Sequence, residues 1–163
     1  MIANEYLKVV QKRFEEMKQQ GDRVFKQLSG EDFHWTLNET SNSIAVIVKH
    51  MSGNMISRWT DFLTTDGEKP DRNRDDEFTD DIHSDDELVA VWKKGWNALF
   101  TAIEELKTTD LLEGITIRGE KLTVIDAIER QIVHYASHIG QIVYIAKQLK
   151  DKEWKTLSIP KGK

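Results

Sequence analysis

The sequence predicts an all-α fold, an up-down four-helix bundle with a small hairpin before its last helix. Three observations predict it. Apolar residues recur at helical spacing through four long stretches. The only prolines, Pro70 and Pro160, fall outside those stretches, as intact helices require. Polar or glycine-bearing segments separate them, and four long helices in one domain default to a bundle. The 163 residues suit one domain, expected over residues 1–150, with a C-terminal tail over 151–163.

The first helix is expected from about Ile2 to Leu28. Tyr6, Val9, Val10, Met17, Val24, Phe25 and Leu28 form its stripe, and Ser29-Gly30 ends it. The polar cluster "NETSNS" offers caps for a second helix, from about Ile44 to Leu63. A charged loop, "TTDGEKPDRNRDDEFTDDIHS", follows over 64–84. Loops this long are uncommon in a compact domain and are often functional. "SDDE" at 84–87 is a capping-box pattern, with Ser84 as cap and Glu87 three residues on. Leu88, Val91, Trp92, Leu99, Ile103 and Leu106 make the stripe of the third helix. "ITIRGEKLT" alternates and turns at Arg118-Gly119, which signals a hairpin. Thr123, with Asp126 three residues on, opens the fourth helix, which runs to about Leu149. The segment "WKTLSIPKGK" beyond it reads as extended or loose.

Composition narrows the function classes. There is no cysteine, which excludes disulfides, thiolate metal sites and a cysteine nucleophile and agrees with a cytoplasmic protein. The net charge is −5 without a basic stripe, so nucleic acid is not an expected partner. No apolar run reaches membrane-spanning length. The N-terminus "MIANEYLKVVQKRFEEM" begins a helix, not a signal peptide.

The chemistry lies in the histidines. "HYASHIGQ" places His134 and His138 four apart on the fourth helix. Residues at that spacing project to one side, so two imidazoles can share a cation at about 2 Å each. Ile125, Ile128, Ile132, Ile139 and Val143 form a narrow apolar stripe, and the histidines fall on a flank with Ala127, Gln131, Gln141 and Ile145. His50, in "IAVIVKHMSGNM", supplies a third ligand, with Asn54, Ser57 and Asp61 on its side of the second helix. Paired helical histidines also occur as buried core imidazoles. His34 in "DFHW" and His83 in "DIHSD" read as loop or cap-flanking residues.

The order of these motifs is similar to a known family. "FHWTLNETSNSIAVIVKHMSGNM" resembles the first motif region of the DinB/YfiT-like superfamily, where a Trp and a Ser-rich cap precede a helix with the first histidine. "HYASHIGQI" resembles its second region, His-x-x-x-His followed by Gly-Gln. The resemblance covers about residues 2 to 150. It implies a four-helix bundle, commonly a homodimer, with His50, His134 and His138 as ligands of a divalent metal, zinc or nickel. Relatives either transfer low-molecular-weight bacterial thiols to electrophiles, isomerise maleylpyruvate with a thiol cofactor, or are described as metal-dependent hydrolases. This sequence most resembles a branch without an assigned reaction.

Three histidine ligands leave a coordination position open, as in catalytic sites. Water there would lose a proton near neutral pH, and an external thiol could bind as thiolate. No His-Glu-x-x-His is present, so a general base is missing from the motif itself. Asp61, Asn54 and Gln131 are the candidate catalytic residues, with Asp61 the best carboxylate on the His50 face. Arg72 and Arg74 could clamp a carboxylate or phosphate of a small-molecule substrate, or belong to a solvated, self-paired charge run. The expected function is a divalent-metal-dependent thiol transferase or hydrolase. The alternative is a non-catalytic metal-binding or stress-related bundle.

Overall fold

The computed structural model describes residues 2–160 and 162. Four long helices dominate: α1 (Ile2–Phe25), α2 (Ile44–Trp59), α3 (Asp85–Glu105) and α4 (Val124–Lys150). Between α3 and α4 lies an antiparallel hairpin, β1 (Gly114–Ile117) with β2 (Glu120–Thr123). Arg118 and Gly119 both take positive φ, +54° and +76°, the mirror-image turn that suits a two-residue hairpin loop. No helix among the described residues is long and apolar enough to cross a membrane.

The helix starts follow local chemistry. Ser43, Ser84 and Thr123 each accept a hydrogen bond from the backbone N–H three residues on, Val46, Glu87 and Asp126, which satisfies an otherwise unpaired donor. Glu87 departs from the expected box, because its carboxylate accepts from the His83 N–H and not from Ser84. The second helix is shorter than its apolar pattern predicts. It ends at Trp59 with Thr60 as cap, and Asp61 adopts φ +48°, outside helical geometry.

The core joins all four helices. Phe14 of α1, Met51 and Met55 of α2, Trp92, Trp96 and Leu99 of α3, and Ile128, Tyr135 and Ile142 of α4 are essentially inaccessible. On α4 the buried face runs through Ala127, Ile128, Gln131, Tyr135, Ile139, Ile142 and Ala146. Ile125, Ile132 and Val143, expected at the centre, are only half-buried at its edge. Tyr135 holds the centre because its hydroxyl is satisfied there: it donates to Asn54 Oδ1 (2.9 Å) and accepts from Trp59 Nε1 (3.1 Å). That chain ties α4 to α2 directly beneath the histidines. α2 and α3 approach closely at Gly95, where a Cβ would stand 2.7 Å from Ser52 Cα.

The tail is not loose where it is described. Arg23 Nη1 donates to the Leu157 carbonyl, and the Gln27 side chain brackets Lys155 with two hydrogen bonds. Trp154 and Leu157 pack on the core.

Candidate metal centre

α2 and α4 bring His50, His134 and His138 together. Each offers one ring nitrogen, and the three nitrogens lie within 4.8 Å of one another. His134 Nε2 is 3.3 Å from His50 Nε2 and 3.0 Å from His138 Nε2. The partners of the other ring nitrogens settle where the protons sit. His50 Nδ1 is 2.9 Å from Glu77 Oε2, and a carboxylate only accepts, so Nδ1 carries the proton. His138 Nδ1 likewise donates to Gln141 Oε1 at 2.9 Å. A neutral imidazole with Nδ1 protonated turns a lone pair out at Nε2. With both rings in that form, two lone pairs converge on a third ring nitrogen, which holds at most one proton and cannot satisfy both.

A cation fits this arrangement. Bonds of about 2.0–2.1 Å in tetrahedral geometry put ligand nitrogens about 3.3 Å apart, close to the two spacings observed. Burial pushes the His134 imidazole down to about 3, with the charges of His138 and His50 adding to the effect. Burial also lowers His138, despite its hydrogen bond to Gln141. Both are held as neutral donors, the state a metal requires. His34 and His83 lie elsewhere: His34 Nδ1 pairs with Asp80 (2.8 Å), which also accepts from Ser43 Oγ (2.8 Å) at the start of α2.

The 64–84 segment builds the wall of the centre. Lys49 anchors it through the Asp76 carbonyl (2.7 Å) and the Asp81 carboxylate (2.8 Å). A 3-10 turn at Asp76–Phe78 then aims Glu77 inward. The Glu77 carboxylate is 6% exposed and takes His50 Nδ1, Arg72 Nε (2.7 Å) and Arg72 Nη2 (2.8 Å). Burial alone would raise its pKa, but the bonds from Arg72 and His50 hold it below the usual carboxylate range. It is an orienting anion of the kind that fixes metal-binding histidines. Gly53 leaves it room, since a Cβ there would stand 2.3 Å from Glu77 Oε1. Phe78 stacks on His50 with centroids 4.9 Å apart, and the Arg74 guanidinium lies over the Phe78 ring, 5.1 Å from its centroid.

Beside the histidines opens a pocket of about 240 Å³, lined by His50, Asn54, Arg58, Arg72, Arg74, Arg118, Arg130, Gln131 and His134. Asn54, Gln131, Arg72 and Arg74 are thus beside the triad. Asp61 is not. It lines a larger cleft of about 610 Å³ between the end of α2 and α3, which has no histidine. Arg72 is not part of a solvated charge run either. Its side chain is 4% exposed. Arg58, which the sequence offers as either pocket rim or helix-end packing, lines the pocket; Glu77, Arg118 and Arg130 are the residues that sequence patterns miss. For Arg130 a signal existed, the four-residue step to His134 that places both on one helix face.

The sequence model of the family described as "Protein of unknown function (DUF1572)" matches residues 1–163. The chain belongs to this family. DUF1572 is DinB/YfiT-like, in agreement with the resemblance of the two histidine motifs. No match is found among curated proteins.

Proposed function

We propose that this DUF1572 chain is a divalent-metal-dependent enzyme acting on a small molecule, and that thiol transfer is its reaction class. The observation that carries the reading is the convergence of three imidazole nitrogens, on rings two of which are oriented by Glu77 and Gln141, at the mouth of a polar pocket. Zinc or nickel suits three imidazoles. A cation held there would supply Lewis acidity, lowering the pKa of a water or thiol at its open position. The chain's own part is to fix the ligands, exclude competing donors and orient the substrate.

Thiol transfer is favoured over hydrolysis because no carboxylate is among the residues that line the pocket beside the triad. Glu77 is spent on Arg72 and His50, and Glu68 on Arg58, Arg72 and Arg118. A small external thiol needs no protein base once its pKa is lowered, and the chain has no cysteine of its own. The same lack keeps a second reading, a non-catalytic metal-binding module. A cytoplasmic location, a homodimer, an up-down bundle and a division at residue 150 complete the proposal.

The test is elemental analysis of tag-free protein beside His134→Ala and His138→Ala, followed by assays with a panel of small thiols and a chromogenic electrophile, and with chromogenic esters. One metal per chain, lost in both variants together with conjugation, is expected. Metal without any turnover would leave the binding module. No metal after addition of zinc or nickel would overturn both.

A further inference from the structure

The pocket beside the triad has a charge of its own. Arg58, Arg72, Arg74, Arg118 and Arg130 line it. Glu68 pairs with Arg58, Arg72 and Arg118 at 2.8, 3.1 and 3.3 Å, Glu77 with Arg72, and Glu120 with Arg130 at 3.6 Å. Five guanidinium groups thus face three carboxylates, in a chain whose net charge is −5. Arg74 has no carboxylate within ion-pair distance among the described residues and rests on Phe78. Such a local excess, in a concave site with low-dielectric walls, attracts anions.

A second observation is independent of charge. Among the described residues, three buried side-chain atoms have no hydrogen-bond partner: Arg58 Nε, Gln131 Oε1 and Trp96 Nε1. Arg58 and Gln131 both line this pocket, and each is at least 95% buried. Buried polar groups are ordinarily satisfied, and an orphan asks for a partner. Both residues line the same cavity, so two of these three unpartnered groups stand in its wall.

We propose that this pocket binds the oxyanion, carboxylate or phosphate, of an acidic small molecule. Guanidinium groups recognise both oxyanions with paired N–H donors. The cavity is smaller than the roughly 300–1,000 Å³ of drug-sized sites, so the bound part is compact. Because His50 and His134 share the lining, a molecule anchored by its anion would present its neighbouring atoms to the triad. That last clause rests on the proposed function; anion binding itself does not.

The experiment titrates full-length, metal-stripped protein with inorganic phosphate and with malonate at low salt, by calorimetry. The variants are Arg74→Gln combined with Arg130→Gln, and Arg13→Gln as a charge control. Arg13 sits on α1, is not among the pocket's lining residues, and pairs with Glu16. Arg58 and Arg72 are left intact because they hold the 64–84 segment. Saturable binding is expected, weakened about tenfold in the double variant and unchanged in Arg13→Gln. The tighter of the two anions names the substrate's acid class. No binding of either at millimolar concentration overturns the inference. So does equal weakening in Arg13→Gln, which would reveal general charge attraction only. Metal binding measured in parallel separates the two proposals. Metal without anion binding sinks the pocket alone, and anion binding without metal sinks the metalloenzyme alone.

Discussion

Glu77→Gln is the sharpest perturbation of this site. The carboxylate is buried, Arg72 beside it is buried, and His50 needs its Nδ1 proton accepted. A glutamine keeps one oxygen; placed where Oε2 lies it still accepts from His50 Nδ1 and Arg72 Nη2, but its NH2 group then faces Arg72 Nε in place of an acceptor, and the charge that both partners meet is gone. Breaking a buried ion pair by removing one partner costs about 3–5 kcal/mol. Glu68 still accepts from Arg72 Nη1 at 3.1 Å, so the lower part of that range applies. At about 2–4 °C per kcal/mol for a chain of this size, Tm should fall by roughly 6–12 °C. Mutating an outer partner of a metal-binding histidine typically weakens affinity about 10–100-fold, here through loss of the carboxylate's charge beside His50. Affinity is measured by chelator competition at 25 °C, well below Tm, with calorimetric melting alongside.

A double variant, Glu77→Met with Arg72→Met, separates the two effects. Replacing a whole buried ion pair by apolar residues is often neutral or stabilising, so Tm should return toward wild type. Metal affinity should not, because methionine leaves His50 Nδ1 without its acceptor. If Glu77→Gln binds metal as tightly as wild type, or the double variant recovers affinity with stability, Glu77 does not orient His50.

Other outcomes follow from the same geometry. Gly53→Ala puts a methyl into the space of Glu77 Oε1, and Arg72 and His50 stop the carboxylate from yielding; weaker metal binding, in the direction of Glu77→Gln, is expected by the same competition assay. Gly95→Ala strikes the Ser52 backbone instead, an overpacking worth about 1–3 kcal/mol; melting should show the loss while metal stoichiometry stays unchanged. Asp66 accepts from the Glu68, Gly119 and Arg118 N–H groups at 2.7–2.9 Å, and these bonds lower its pKa. A lowered folded pKa means its stabilisation is present above about pH 3.9, the unfolded value, and fades as pH falls through the folded one. Asp66→Asn should therefore cost about 1 kcal/mol at neutral pH, with the gap from wild type closing below pH 4 in chemical denaturation; a pH-independent gap would contradict the assignment.

What the sequence revealed and what it hid divide along locality. Ser84 and Thr123 announce their helices because a cap and its partner are three residues apart, and Arg118-Gly119 announces a hairpin for the same reason. His134 and His138 are legible as a pair because α4 runs through both without interruption. Asp61 misleads because the 3.6-residue period from His50 was extended past Trp59, where the helix has stopped and φ has turned positive. Glu77 is hidden because its partners are His50, 27 residues away, and Arg72 across an irregular turn. No periodicity links them.

The 64–84 segment shows why a charged run can be misjudged. Its charges look like solvent-facing residues when counted singly, yet Glu68, Arg72 and Glu77 neutralise one another and Arg58, and so can enter the protein together. Such a buried network contributes little net stability, since desolvation offsets most of the attraction. Its position is the informative part. One end, Glu77, fixes the proton on His50, and the other end, Glu68, gathers Arg58, Arg72 and Arg118 around the pocket. The helices alone would set three histidines at workable distances. The loop decides which nitrogen of His50 faces inward and which charge surrounds it.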